Sequence, residues 1–355
     1  MKHWGKALFG FIVTVLLLWW ALRGVAFAEV WAQIRQGDPW LLLAAVAVAT
    51  FGFLIRAVRW KILLAPVKED TTLSARFAAV SIGFMANNVL PARVGEFARA
   101  YAFSRLQPVS VSAAFGSLVV ERFLDGVVLL LFLVVPVFLP GFPSGGVLSE
   151  GFGAVALRAA VAAVGIVLLG LVLMAIFPRT FVSVARFVTR FLPEGVARPI
   201  VDALEAFLDS IGLLRNPRLL ALGFAWTLLF WAWHGLSFWL GMLAFGIHAG
   251  PVAAYFTEAV VGFGVAIPSA PGFIGTFHAS ANFALADVYG VDPARALAFA
   301  FGYHFGGWIP ITAIGLWYAW RLGLSLGEVG AAEERVEEVI EREHPGVAGG
   351  SAGAP

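Results

Sequence analysis

Long apolar runs separated by short polar stretches set the rhythm of this chain. A run of about twenty apolar residues matches the thickness of a bilayer core. Six stretches read as full spans on that basis: Ala7–Leu22, Trp40–Trp60, Ser112–Leu139, Val155–Phe177, Leu219–Phe245 and Arg295–Trp320. Two further pairs are shorter and interrupted by Asn, Gly and Pro. Leu73–Asn88 is followed by Pro91–Leu106, and Val252–Ile267 by Gly272–Tyr289. Irregular backbone at membrane depth is tolerated only where protein or a cavity shelters it, so each pair reads as a re-entrant hairpin. The predicted fold class is all-α: a polytopic membrane protein with about six full spans plus two re-entrant helix pairs.

The polar stretches give an orientation. Arg56, Arg59, Lys61, Lys68 and Arg76 gather at one end of the second span, and Arg321 closes the last. Residues 178–218 carry Arg179, Arg186, Arg190, Arg198, Arg215 and Arg218, whereas Pro140–Gly153 holds no Lys or Arg. The positive-inside rule then puts both termini on the cytoplasmic side. Within 178–218, Ile200, Leu204, Phe207, Leu208 and Ile211 recur at helical spacing, predicting an amphipathic helix on the inner surface. Ala7–Leu22 follows Lys2 and Lys6 like a signal peptide. Arg23-Gly24-Val25-Ala26 offers no convincing cleavage site, so the run reads as a retained span. Gly327–His344 predicts a charged, solvated helix, followed by a Gly/Ala/Pro tail. The expected organisation is a membrane domain over 1–326 and a cytoplasmic helix with disordered tail over 327–355. Within the domain, a first half (1–140, re-entrant pair 73–106) and a second half (219–326, re-entrant pair 252–289) flank the 178–218 helix.

The two broken pairs resemble each other. Pro91-x-x-x-Gly95-x-Phe97 matches Pro271-x-x-x-Gly275-x-Phe277, and a Gly-Phe pair precedes each motif. The full spans between them are odd in number, so the second copy is expected to be inverted. Inverted repeats with broken helices meeting near the midplane form a transporter architecture.

Polar residues inside such segments are expensive and point to a function. Asn87, Asn88, Arg93, Gly95, Glu96 and Arg99 crowd the first break, with Asn88 suited to capping and Pro91 to a first helical turn. A helix starting inside the membrane turns its free N–H groups and positive dipole end toward an anion. Glu121, Arg122 and Asp125 lie together on one side of the next span. In the simpler account Arg122 pairs with Asp125, and Glu121 with Arg93 or Arg99. In the sharper one Arg93, Arg99 and Arg122 hold a phosphate while Glu96 and Asp125 position them. Pro271, Gly272 and Gly275 mark the second break and permit close backbone approach. Glu258, His278 and His304 are the ionisable groups a proton-coupled carrier would need, although hydrogen bonding within the bundle is the commoner role. His234 reads as interior packing. Arg56 and Arg59 read as side chains snorkelling at the inner interface.

Composition narrows the classes. The chain has 355 residues, 60% of them hydrophobic and only 13% charged, with a mean hydropathy of +0.88. It has no cysteine, which excludes disulfides and thiolate chemistry. Seven Glu and two Arg lie beyond residue 326, so residues 1–326 carry about +7, a balance suited to anionic lipid. His-Glu-x-x-His, Gly-x-Ser-x-Gly and phosphate-loop patterns are absent. The first outer loop supplies only Glu29 and Asp38 for a transferase. The expectation is therefore no catalytic residue, no metal, no cofactor, no nucleic acid and no enzyme activity.

The run Asn88-x-x-Pro91-x-Arg93-x-Gly95-Glu96-x-x-Arg99, with Glu121-Arg122-x-x-Asp125 and the later Pro271-Gly272-x-x-Gly275, resembles the signature of the lysylphosphatidylglycerol synthase transmembrane (flippase-like) family. The similarity runs from about residue 8 to 322. It implies a membrane domain that moves phospholipids, aminoacylated ones included, or other lipid-linked molecules between leaflets. Members with aminoacyl transferase activity carry a further cytosolic domain, so that activity is expected to be absent here. Where many members place an acidic residue after the second motif, this chain has His278. The expected function is flippase-like movement of an anionic lipid, either a phospholipid or a polyprenyl-phosphate-linked intermediate, in a prokaryotic cytoplasmic membrane. The alternatives are an accessory subunit of lipid or envelope-glycan biosynthesis and an integral-membrane lipid-phosphate transferase. A homo-oligomer or a partner from lipid biosynthesis is compatible with each.

Overall fold

The computed structural model describes residues 2–143, 177–190 and 216–343, with positions 162, 166, 169 and 173 between them. Among the described residues every regular element is helical. Several helices begin where the sequence writes a polar cap followed by proline. Asp38 accepts from the N–H groups of Trp40 (2.8 Å) and Leu41 (3.1 Å) to open α3, Pro39–Leu64. Asn216 does the same for α8, Pro217–Ala244, and Asp292 for α11, Pro293–Arg321. The cap satisfies an orphan donor, and proline has no N–H to leave unpaired.

These three helices are long and apolar enough to cross a membrane. A fourth candidate is bent: α1 (Lys2–Leu22) meets α2 (Phe27–Gln36) at 79°. The long α6 (Val111–Val134) carries Glu121, Arg122 and Asp125 at its middle. It stops short of the expected Leu139 because Pro136 shifts the chain into a tighter turn, Val135–Phe138. The multi-pass, all-α class therefore stands, while the expected span Val155–Phe177 and most of the 178–218 helix lie outside the described residues. Of the latter, α7 (Pro178–Thr189) is described, with Val184, Phe187 and Val188 exposed.

Each broken pair forms a helix, a break and a second helix. In the first, α4 (Leu73–Val89) and α5 (Gly95–Leu106) flank a 3-10 turn at Pro91–Arg93. In the second, α9 (Gly250–Gly264) and α10 (Thr276–Asn282) flank a 3-10 turn at Pro271–Phe273, and α10 runs on as a π-helical turn, Phe283–Val288. The second helices start later than the sequence predicts, at Gly95 and Thr276 rather than at Pro91 and Gly272. In the second pair the cause is plain: Gly272 (φ 71°) and Gly275 (φ 90°) are left-handed and cannot propagate a helix.

Among the described residues the core has two large centres. One gathers α4, α5 and α6 around Trp60, Ile82, Met85 and Phe103; the other gathers α8 to α11 around Phe238, Met242, Leu285 and Phe299. After the short α12 (Leu326–Gly330), the terminal α13 (Ala332–Glu343) is not the free solvated helix expected. Its Ala332 and Val336 are fully buried, and Arg335 donates to the Tyr101 hydroxyl of α5 at 2.6 Å. Apolar positions four residues apart give this acidic helix one face to dock.

Candidate functional site

The two breaks meet each other. Arg93 and Phe273 occupy corresponding places in the two Pro-x-x-x-Gly motifs, and among the described residues they are the non-glycine positions with positive φ (56° and 58°). Such a conformation costs about 1–3 kcal/mol. The Arg93 guanidinium lies 5.2 Å from the centre of the Phe273 ring. Beyond that ring it donates to the carbonyls of Ala266 (2.8 Å), Ile267 (2.5 Å) and Val265, the free acceptors where α9 ends. Arg93 therefore closes a helix end and does not join a phosphate clamp, which corrects the role expected of it.

The amides divide the work differently from expectation. Asn88 is still inside α4 and donates to Thr312 Oγ1 of α11 at 2.8 Å, so it caps nothing. Its neighbour Asn87 accepts from the Gly95 N–H at 2.8 Å and reaches Glu96 at 3.5 Å, satisfying the start of α5. Gly95 is required by space: a Cβ there would lie 2.3 Å from the Gly83 carbonyl oxygen. At the second break Thr14 of α1 does the equivalent service. Its hydroxyl donates to the Ile274 carbonyl and accepts from the Ala270 N–H, both at 2.9 Å. No motif marked Thr14 in the sequence.

Beside the first break lies a buried ion cluster. Glu121 Oε1 contacts Arg56 Nη1 (2.8 Å), Arg59 Nη2 (3.1 Å), Arg99 Nη1 (2.8 Å) and Arg122 Nη2 (2.8 Å). Asp125 meets Arg59 at 2.5 Å and Arg56 and Arg122 at 3.3 Å, and accepts from the Trp231 indole at 2.9 Å. The simpler account of Glu121, Arg122 and Asp125 thus describes their local pairing. Arg56 and Arg59 do not snorkel: their side chains are almost wholly buried, because two carboxylates one turn apart on α6 hold them inside. Among the described residues four guanidiniums face two carboxylates, so the cluster keeps two positive charges beyond what these neutralise. Counting Glu96, the next acid, leaves one. The Arg122 side chain is 43% exposed, and the buried Nε–H groups of Arg56, Arg59 and Arg99 have no acceptor.

A cavity of about 190 Å³ opens next to this cluster, one side chain away through Phe84 and Trp231. Its wall is mainly aromatic and comes from α4, from α9 and the second break, and from α3, α8, α10 and α11, with Phe273 and Trp308 among its lining. The polar groups on it are Asn88, His234, Glu258, Tyr303 and His304. His304 stacks on Phe277 at 4.3 Å, and His278 sits 5.1 Å from His304, fully buried behind it. His278 Nδ1 accepts weakly from the Gly275 N–H at 3.4 Å. His234 is not mere packing, since its Nδ1 lies 2.8 Å from Glu258 Oε1. Of the residues singled out in the sequence, Asn88, His234, Glu258 and His304 line the cavity. Arg99, Glu121, Arg122 and Asp125 share the cluster, and Arg93, Asn87, Gly95, Gly272 and Gly275 build the breaks. Among the described residues no three His, Asp or Glu converge to hold a metal ion.

Sequence comparison matches residues 7–315 to the lysylphosphatidylglycerol synthase TM region. The chain belongs to that family. It is 27% identical over 315 residues to a protein of Haloferax volcanii named glycosyltransferase AglD, covering 82% of this chain but only 50% of that protein. It is 26% identical over 264 residues to a UPF0104 membrane protein of Methanothermobacter thermautotrophicus, covering 69% of this chain and 74% of the relative. A UPF0104 membrane protein of Methanocaldococcus jannaschii is 25% identical over 123 residues, 34% of this chain and 37% of the relative. No solved structure gives a significant match. Family membership and the apolar helices together make this a multi-pass membrane protein of a family named for a lipid-modifying synthase.

Proposed function

We propose that the chain is a flippase-like transporter that takes an anionic lipid, a phospholipid or a polyprenyl-phosphate-linked intermediate, into the intramembrane cavity and passes it between leaflets. It performs no chemical step on the lipid. The observation that carries this reading is the uncompensated positive charge of the arginine cluster beside an apolar, aromatic cavity. Excess charge in a low-dielectric setting is costly unless a counter-charge joins it. A lipid phosphate supplies that charge, and the aromatic wall accepts the apolar part of the lipid. The half-exposed Arg122 and the buried Arg99, both on Glu121 Oε1, supply the charge that the phosphate meets beyond Phe84 and Trp231. The two breaks, with Arg93 and Phe273 at equivalent strained positions, support reading 1–140 and 219–326 as two inverted halves around the site. The basic ends of the helices support a prokaryotic cytoplasmic membrane with both termini cytoplasmic.

The Haloferax relative is named a glycosyltransferase, which favours a second reading, an integral-membrane lipid-phosphate transferase. One reconstitution separates the two. Vesicles with leaflet-labelled lipid and purified protein are expected to scramble the label, and Arg122→Gln to lose scrambling while eluting as a folded protein. Headgroup turnover without scrambling would establish the transferase instead. Absence of both, with tight binding to a biosynthetic enzyme, would make the chain an accessory subunit.

A further inference from the structure

We infer that the His234–Glu258 pair is a proton-binding site in the cavity wall, which takes up one proton when an anionic headgroup enters. The inference rests on the anionic-lipid reading above. Glu258 is 1% exposed and its Oε1 contacts His234 Nδ1 at 2.8 Å. Its Oε2 has no hydrogen-bond partner and lies against the backbone of Gly235, where an added Cβ would sit 2.8 Å away. Among the described residues no Lys or Arg pairs with it. A bare carboxylate in such a wall is stable only if a proton is shared with its partner. One proton on the pair makes it neutral, whichever of the two groups holds it.

The surroundings leave that balance to the pair. On α8, Trp231, the neighbour of His234 toward the ion cluster, bonds Asp125. On α3, Arg56 faces His234, but its guanidinium is already held by Glu121 and Asp125. On α9, the Tyr255 hydroxyl donates to the Ala232 carbonyl at 3.3 Å. On α11, Tyr303 is hydrogen-bonded to Ser237 at 2.8 Å, and His304 shares the cavity with one ring nitrogen unpartnered. On α10, His278 lies behind His304. None of these is a fixed cation touching the carboxylate.

An anion in the same cavity changes the balance. An ionised Glu258 would repel it, whereas a second proton from solvent makes the pair His⁺ with a neutral carboxyl, charge +1. That charge matches a phosphodiester's −1, so lipid anion and proton are bound together without net charge.

Titration calorimetry on the full chain in detergent tests this, using short-chain phosphatidylglycerol and a short polyprenyl phosphosugar as probes, both phosphodiesters of fixed charge −1. Repeating it in buffers of different ionisation enthalpy gives the protons taken up. The wild type is expected to take up about one proton per ligand and to bind up to about tenfold more tightly per unit fall in pH. His234→Gln/Glu258→Gln is expected to take up none and to bind with an affinity that does not change with pH. Should the double variant not fold, His234→Gln alone gives the same readout, because a lone Glu258 cannot reach a positive charge. Binding without proton uptake in the wild type overturns the inference and leaves the anionic-lipid reading standing. Binding of neither probe overturns that reading and the inference with it.

Discussion

Glu121→Gln tests whether the arginine cluster is held by charge or by shape. The substitution keeps the volume of the side chain and removes the one group that touches all four guanidiniums. The uncompensated charge rises by one, and a carboxamide N–H2 replaces an acceptor among donors. Removing one partner from a buried ion pair costs about 3–5 kcal/mol. Near the melting temperature that is a fall of about 4–7 °C for a chain of this size. Thermal unfolding in detergent, followed by tryptophan fluorescence, reads it directly. Asp125→Asn should cost less, because Asp125 has one guanidinium nitrogen within 3 Å whereas Glu121 has contacts near 2.8 Å to Arg56, Arg99 and Arg122. Adding Arg99→Gln to Glu121→Gln restores the original charge balance, so the double variant should recover at least about 1 kcal/mol relative to additivity. A Glu121→Gln protein that melts within about 1 °C of the wild type, or strict additivity of the pair, would refute the reasoning.

Other outcomes follow from single contacts. Arg93→Lys cannot fork across the carbonyls of Val265, Ala266 and Ile267, so it should lose about 1–3 kcal/mol in the same melt. Gly275→Ala places a Cβ 2.9 Å from the Thr14 carbonyl oxygen at φ 90° and should lower the yield of folded protein more than Gly290→Ala, which meets nothing. Glu328, at the docked C-terminal segment, is hydrogen-bonded by the Ser325 N–H and hydroxyl, which hold its carboxyl below its ordinary value of 4.5. A folded-state pKa below the unfolded one stabilises above the unfolded value and loses that contribution as pH falls through the folded one. Limited proteolysis of the C-terminal segment should therefore accelerate below about pH 4.5 in the wild type, and Glu328→Gln should remove that dependence.

What the sequence makes legible is what local rules govern. Asp38-Pro39 and Asp292-Pro293 announce helix starts, and the Pro-x-x-x-Gly motifs announce breaks, because caps and left-handed turns are decided within a few residues. The spacing of Glu121 and Asp125 also shows that they share a face of α6. The partners across helices are not legible in that way. Arg56 and Arg59 sit near the end of an apolar run, where snorkelling and burial look alike in sequence, and only the approach of α6 to α3 distinguishes them. Arg93 misleads for a related reason. Its charge suggests an anion, yet the free carbonyls at the end of α9, about 170 residues later in the chain, offer it acceptors no local pattern reveals. His234 looked like packing between Trp231 and Trp233 because its partner lies on α9.

Arg93 is anchored in one break and holds the other by ring and by carbonyl. The two breaks are thus fastened to each other by one side chain, alongside the Asn88–Thr312 bond between α4 and α11. Shifting the first turn drags the end of α9 with it, and freeing α9 unseats the first turn. A substitution at Arg93 is therefore felt at both turns at once.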